Sequence, residues 1–306
     1  MYLSMMVFEE CLAEYHPRMI GHSDLIKIKF MGVQEAMEGQ EYLPDHMLLE
    51  HVEYFVSHPV PAAWGCLCIG EPPEDLFKNN ICLIFPENTD RTSLYHDIQK
   101  IFFLYNSWEM EIRKAMQRNA TLEEMCNLCI PIFEKPIFIH DRNNELLAIA
   151  NEMAGQFSWQ YDETFDKYYL PLEILNTFKS SDEYHKTLHT YGAHVFSAKA
   201  TGYRTLYVNL RIEWVYVGRV CLDEIGTPIR KRDYELLEFF ADNIALAMQQ
   251  GMLLVSDVSN VLSILFKEMI DGKSYTKNQL AKPFSYYKWH IDDMFQCITI
   301  FCRKSD

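Results

Sequence analysis

The sequence predicts an α+β chain of more than one domain, and three observations carry that reading. At 306 residues there is room for about two domains of roughly 150 residues each. The composition is 49% hydrophobic and 23% charged, close to the globular averages of about 45–50% and about 25%, which disfavours disordered, collagenous and rod-like classes. Long stretches with helical periodicity alternate with short apolar runs bounded by turn residues, the pattern of helices and strands in one chain. The predicted division is a small α/β unit over residues 1–88, a connecting helix over 89–118, an α+β domain with one sheet over 119–250, and a helical remainder over 251–306.

In the first unit, Leu3 to Tyr15 has helical spacing, Leu25 to Phe30 alternates as a strand, and Met47 to Val56 is again helical. Two apolar strands follow, Ala63 to Ile69 and Ile81 to Phe85, the second bounded by Asn79-Asn80 and by Pro86-Glu87-Asn88, both good turn chemistry. A long helix comes next, because Leu94, Ile98, Ile101, Tyr105, Trp108, Ile112 and Ala115 alternate spacings of three and four. That heptad seam fits either an amphipathic helix packed on its own domain or a helix paired with its copy in a dimer. Thr121 and Glu124 form a capping box that opens a further helix, expected to stop at Pro131.

The second domain opens with Pro136-Ile-Phe-Ile-His-Asp141, a polar turn, and Leu146 to Ala150, which together read as a hairpin. An irregular aromatic-rich stretch over 157–175 and a helical piece near Ser181 to Thr190 precede three strands, Ala193 to Ala198, Thr205 to Leu210 and Trp214 to Leu222. Arg230 to Gln250 closes the domain as a helix, and Met252 to Ile270 continues helical to Asp271-Gly272. One heptad register spans both pieces, with Leu237, Ile244, Gly251, Val258 and Leu265 in one position and Ala241, Met248, Val255, Leu262 and Met269 in the other. Two such seams, flanking the domain, lead to the expectation of a homodimer. Met294 to Cys302 reads as an apolar strand without a partner, which suggests that a following domain begins there.

Charge and motifs exclude several function classes. The net charge is −15, and residues 1–88 carry 4 basic against 14 acidic groups, a surface that repels phosphate backbones and anionic lipid. The N-terminus lacks a basic signal-peptide region, and no stretch approaches the ~18 apolar residues of a membrane span, so a cytoplasmic protein is expected. Nine scattered cysteines read as reduced thiols without disulfides. Cys126-Asn-Leu-Cys129 has no second ligand pair for zinc, and His185 with His189 is a pair on one helix face. No phosphate loop, no GxSxG and no triad is present. The reading is that the chain is not an enzyme and carries neither metal nor cofactor.

What the sequence does offer is aromatic residues, 14% of the chain, dense at Phe157, Trp159, Tyr161, Phe165, Tyr168 and Tyr169. Such rings wall a pocket or simply fill a core. The expected ligand site lies between the sheet and this segment. Phe138 and His140 share one face of the first strand, Tyr207 lies on a neighbouring strand, Trp159 covers the sheet, and Arg204 at a strand mouth is the candidate anion anchor.

The order of pieces resembles the N-terminal sensory half of PucR-type, purine-catabolism-regulator-like bacterial transcription regulators. The matching stretches are Ile101-Phe-Phe-Leu-Tyr-Asn-Ser-Trp-Glu109, Pro136-Ile-Phe-Ile-His-Asp141 and Leu265-Phe-Lys-Glu-Met-Ile-Asp-Gly272, with Tyr286-Tyr-Lys-Trp289 and Met294 to Cys302 resembling the start of the family's inactive GGDEF-like domain. The resemblance implies a GAF-like or PAS-like domain over 119–250 that binds a small-molecule effector. It also implies flanking helices that pass the signal on, and a DNA-binding helix-turn-helix beyond residue 306. The alternative is the sensor region of an enzyme-linked signalling protein, such as a cyclase or kinase regulator.

Overall fold

The structure is a computed structural model of the chain. It describes residues 1–306 apart from 22, 37, 38, 40, 164, 165, 213, 253–264, 267, 271, 286–288 and 291–306.

The N-terminal unit is built on a five-stranded sheet in which β4 (Gly32–Glu35), β5 (His46–His51), β6 (Gly65–Ile69) and β7 (Ile81–Phe85) run parallel and β2 (Arg18–Gly21) adds an antiparallel edge beside β7. A two-stranded ribbon of β1 (Leu3–Ser4) and β3 (Lys29–Phe30) flanks α1 (Met5–Cys11). Every residue of β6 and β7 is buried. Leu67, Ile69, Leu83 and Phe85 face the large core shared with α1, whereas Cys66, Cys68, Cys82 and Ile84 face a smaller core around Phe55 and Phe77.

Three sequence expectations are corrected here. The helix expected from Leu3 to Tyr15 is shorter, Met5–Cys11 with a 3-10 turn at Ala13–Tyr15. The strand expected from Leu25 to Phe30 is mostly a 3-10 turn, Ser23–Lys27, with only Lys29–Phe30 paired. The helix expected from Met47 to Val56 is strand β5 followed by α2 (Val52–Ser57). The reason is two-sided burial: Met47, Leu48 and Leu49 are all inside a parallel sheet, so the strand reads as a continuous apolar run without alternation, which periodicity does not separate from a helix.

Helix α3 (Arg91–Gln117) starts at Asp90, whose carboxylate accepts the Ser93 N–H at 2.8 Å. All seven seam residues from Leu94 to Ala115 are buried inside the same chain. Phe102 packs on Phe8 at 5.0 Å, and Trp108 packs on Phe133, Phe239 and Phe240 with ring centroids 6.1, 5.3 and 6.5 Å away. Of the two readings of this seam, the structure shows the helix packed on its own domain: a long helix laid across its own core needs the same spacing as a coiled coil. The capping box holds, with Thr121 and Glu124 exchanging bonds of 2.9 and 3.1 Å at the start of α4 (Leu122–Asn127). Pro131 does not end the helical path but sits in the first turn of α5 (Ile130–Phe133), where its missing N–H costs nothing.

The second domain is a five-stranded antiparallel sheet in the order β12-β13-β14-β8-β9, formed by β8 (Ile137–Asp141), β9 (Leu146–Ala150), β12 (Ala193–Phe196), β13 (Thr205–Ile212) and β14 (Val215–Asp223). Between β9 and β12 the chain forms a hairpin of β10 (Gln160–Asp162) with β11 (Lys167–Tyr169), then α6 (Leu172–Lys179) and α7 (Asp182–Thr187). These cover one face of the sheet. Helix α8 (Lys231–Met252) covers the other, with Leu237, Ala241, Ile244 and Met248 buried against it. The first turn of α8 also fastens the N-terminal unit: Glu10 accepts the N–H groups of Lys231 and Arg232 at 2.8 and 3.1 Å, and Glu235 pairs with Lys29 at 3.0 Å. Val255, Val258 and Leu262 of the second seam, and the expected strand Met294 to Cys302 with its GGDEF-like reading, lie outside the described residues.

Candidate ligand-binding site

The site follows from strand alternation. On β14, Val220 and Leu222 enter the large core on the α8 side of the sheet, so Arg219 and Cys221 point to the covered face. Register then builds two rows. Cys221 pairs with Tyr207 on one side and Phe138 on the other, and Arg219 pairs with Asn209 and His140. The cover completes the enclosure, bringing Phe157, Leu170, Phe178, Tyr184, Phe196 and Thr201 over these rows. Phe178 and Tyr184, from α6 and α7, stack at 4.5 Å with rings 2° apart. The enclosed space is about 40 Å³, room for a few waters, so a metabolite enters only if the cover shifts.

Arg219 is the chemical centre of this space. It is 4% exposed, and among the described residues no carboxylate lies within ion-pair distance. Its Nε donates to Asn209 Oδ1 at 3.0 Å and its Nη2 to Thr187 Oγ1 at 2.9 Å, while Nη1 has no acceptor among the described residues. The guanidinium lies 4.4 Å from the Tyr207 ring centre and 5.5 Å from that of Tyr184, and these π faces partly replace the missing anion. His140 is also 4% exposed. Burial, helped by the Arg219 charge, pushes its pKa down to about 3. Its Nδ1 lies 2.8 Å from the Asp141 carbonyl oxygen, which only accepts, so Nδ1 carries the proton and Nε2 the lone pair.

Asp223, at the end of β14, ties the start of the cover to the sheet. It accepts from Thr205 Oγ1 at 2.7 Å and Gln156 Nε2 at 3.0 Å, and burial raises its pKa to about 6. These two groups give opposite pH dependences. The unfolded chain protonates His140 below 6.5 and the folded one not until about 3, so its contribution to stability is lost as the pH falls through that window. Asp223 ionises at 3.8 when unfolded and near 6 when folded, so its contribution is present below 3.8 and lost as the pH rises through 6. Urea denaturation between pH 4 and 7 is expected to show His140→Gln less acid-sensitive than the parent, and Asp223→Asn gaining on the parent as the pH rises. Parallel curves for all three proteins would refute the assignment.

Beyond the Phe178–Tyr184 pair, which both spaces share, lies an open cleft of about 320 Å³. It gathers Arg142, Lys179, Arg211 and Lys273 around a single carboxylate, Glu268, which is paired with Lys273 at 3.0 Å. Arg142 Nη1, Arg211 Nε and Tyr216 Oη in this cleft are buried without a hydrogen-bond partner. In a chain of net charge −15, such a gathering of cations marks a route for anions.

Of the residues singled out from the sequence, Phe138, His140 and Tyr207 line the enclosed space. Trp159 stands behind it, packed on Phe138 at 5.3 Å and Phe157 at 5.2 Å. Arg204 is placed elsewhere: half exposed at the sheet's end, it is held by Glu224, with Nε 2.6 Å from Oε2, so its charge is already matched. Sequence reasoning missed Arg219, Tyr184 and Phe178. A signal for the first was present, an arginine inside an apolar strand with the same parity as Cys221. Phe165 lies outside the described residues. Cys126 and Cys129 are buried, their thiols pushed above the usual range by desolvation, and among the described residues no group of His, Cys, Asp or Glu is arranged to hold a metal.

No family model and no curated protein matches the chain. Among solved structures, it is similar to the cofactor-binding GAF domain of the nutrient sensor CodY from Clostridium difficile (12% identity, 47% of this chain and 97% of that one, TM-score 0.34). It is also similar to the phycocyanobilin-bound GAF domain of a cyanobacterial phytochrome (11% identity, 48% and 95%, TM-score 0.35). A third is the GAF domain/HD domain protein from Geobacter sulfurreducens (12%, 45% and 96%, TM-score 0.30). No described helix is long and apolar enough to cross a membrane.

Proposed function

We propose that the chain is the sensory region of a ligand-responsive regulator, in which the domain over residues 119–250 binds a small-molecule effector in the space between its sheet and the cover. One observation carries this reading: an aromatic-walled cavity encloses a buried cation that no carboxylate among the described residues neutralises. A packed core avoids such a group, and a binding site uses it. The chain acts by binding and not by catalysis. Strand β14 provides the coupling, because Arg219 and Cys221 face the ligand space and Val220 and Leu222 face the core that α8 shares. A ligand that resets this strand resets the helix, and through Glu10 and Glu235 the N-terminal unit.

The resemblance to PucR-type regulators extends this to transcription control through a DNA-binding domain outside the chain. The regulator acts in the cytoplasm as a homodimer. With the α3 seam occupied by its own core, a second copy would dock on the outer face of α3, where Phe103 is 76% exposed beside Leu104 and Met110. Light scattering at tens of micromolar is expected to give twice the chain mass for the parent and the single mass for Phe103→Glu; a monomeric parent contradicts the dimer. The binding reading itself is tested by thermal-shift screening against purines, aromatic acids and other small metabolites. A ligand at 100 times its Kd adds about 2.7 kcal/mol of stability. Thr201→Trp, at a half-buried position on the cavity wall, is expected to abolish that gain; a ligand that stabilises parent and variant equally binds elsewhere.

A further inference from the structure

We infer that the effector is a small organic carboxylate with an apolar body, and that Arg219 is the residue that selects it. The inference rests on the cavity being the ligand site and adds the ligand's chemical class. Nε and one Nη2 hydrogen of Arg219 are taken by Asn209 and Thr187. The end of the fork formed by Nη1 and the second Nη2 hydrogen therefore stays available, the geometry that receives a carboxylate with two parallel bonds. Asn209 is itself fixed, its Nδ2 donating to the carbonyls of Thr187 and Thr190 at 2.6 and 3.1 Å, so the guanidinium is held in place before any ligand arrives.

The rest of the cavity specifies the body. Phe138, Phe157, Phe178 and Phe196 present only carbon, and few polar groups join them: neutral His140 beside Arg219, and Thr205, whose hydroxyl hydrogen goes to Asp223. A phosphate, with two charges and a full hydration shell, finds one cation and few donors here. A carboxylate carries one charge and matches one guanidinium. The cation-rich cleft beyond Phe178 and Tyr184 independently favours an anion's approach.

The test uses the full chain and isothermal titration with benzoate and 3-methylbutanoate, their uncharged counterparts benzamide and 3-methylbutanamide, and inorganic phosphate. The acids are expected to bind at least about tenfold more tightly than the amides and than phosphate. Arg219→Lys is expected to weaken the acids by about tenfold or more and Arg219→Gln to abolish acid selectivity, while Arg204→Gln leaves it unchanged. Acids and amides bound equally by the parent would overturn the inference without recourse to any variant, as would an Arg219→Gln protein, still folded by its melting curve, that keeps acid selectivity. Absence of binding by every acid at millimolar concentration overturns it too. The cavity reading falls separately, only if the amides and the wider screen also fail.

Discussion

Asp233→Ala is expected to destabilise the fold by about 3–5 kcal/mol, the cost of leaving a buried charge without its partner. Lys135 and Asp233 are both 0% exposed and joined at 2.9 Å. Lys135 also donates to the Phe133 carbonyl at 3.2 Å, and Asp233 accepts the Arg230 N–H at 2.9 Å in the turn that opens α8. Deleting the carboxylate strands the ammonium at the joint between α5 and α8 and removes a cap from α8. Lys135→Met combined with Asp233→Leu removes both charges together and is expected to recover much of the loss, because neither ion then needs desolvation. Urea denaturation of the parent, the single variant and the double variant decides it. A loss below about 1 kcal/mol for Asp233→Ala would mean that Lys135 reaches water or another anion.

Trp108→Ala is expected to cost about 3–5 kcal/mol as well, through a cavity at the centre of the helical layer. Trp108 touches α5 and α8 from α3, through Phe133, Phe239 and Phe240, so its removal loosens all three helices at once. Trp108→Phe keeps part of the packing and is expected to lose roughly half as much. Equal losses for the two substitutions would show that indole shape, and not apolar volume, holds the joint.

The legible parts of the fold were the strands set off by turn or loop residues and the long helix with a single apolar stripe. The strands β6, β7, β8, β9, β13 and β14 each stand between turn or loop residues, and α3 shows a clean apolar stripe because it lies on a single core. Strand β5 was not legible, since Met47, Leu48 and Leu49 carry no period and the strand runs directly into α2 at Val52 with no turn residue between them. The α3 seam left two readings open because spacing reports that a stripe is buried, not what buries it.

At the site, Phe138, His140 and Tyr207 were accessible to parity arguments on single strands. Arg219 required knowing which strands are neighbours, because its meaning comes from Asn209 and His140 beside it in register and from Tyr184 across the cavity. Arg204 attracted attention as a cation at a strand end, yet Glu224, its partner, sits across the ladder on the connection that follows β14.

The central claim is that the space between the sheet and its cover holds the effector and that its occupation reaches α8. Peptide-resolved hydrogen exchange of the full chain, with and without saturating benzoate, tests both halves in one experiment. Benzoate is expected to slow exchange in the cover around α6 and α7 and in the strand segments Phe138–His140 and Tyr207–Cys221, with a smaller change along α8. Slowed exchange confined to a second, open groove of about 600 Å³ between Tyr191, Trp214 and the α8 residues Glu238 and Asp242, with the cover and β14 unchanged, would contradict the account.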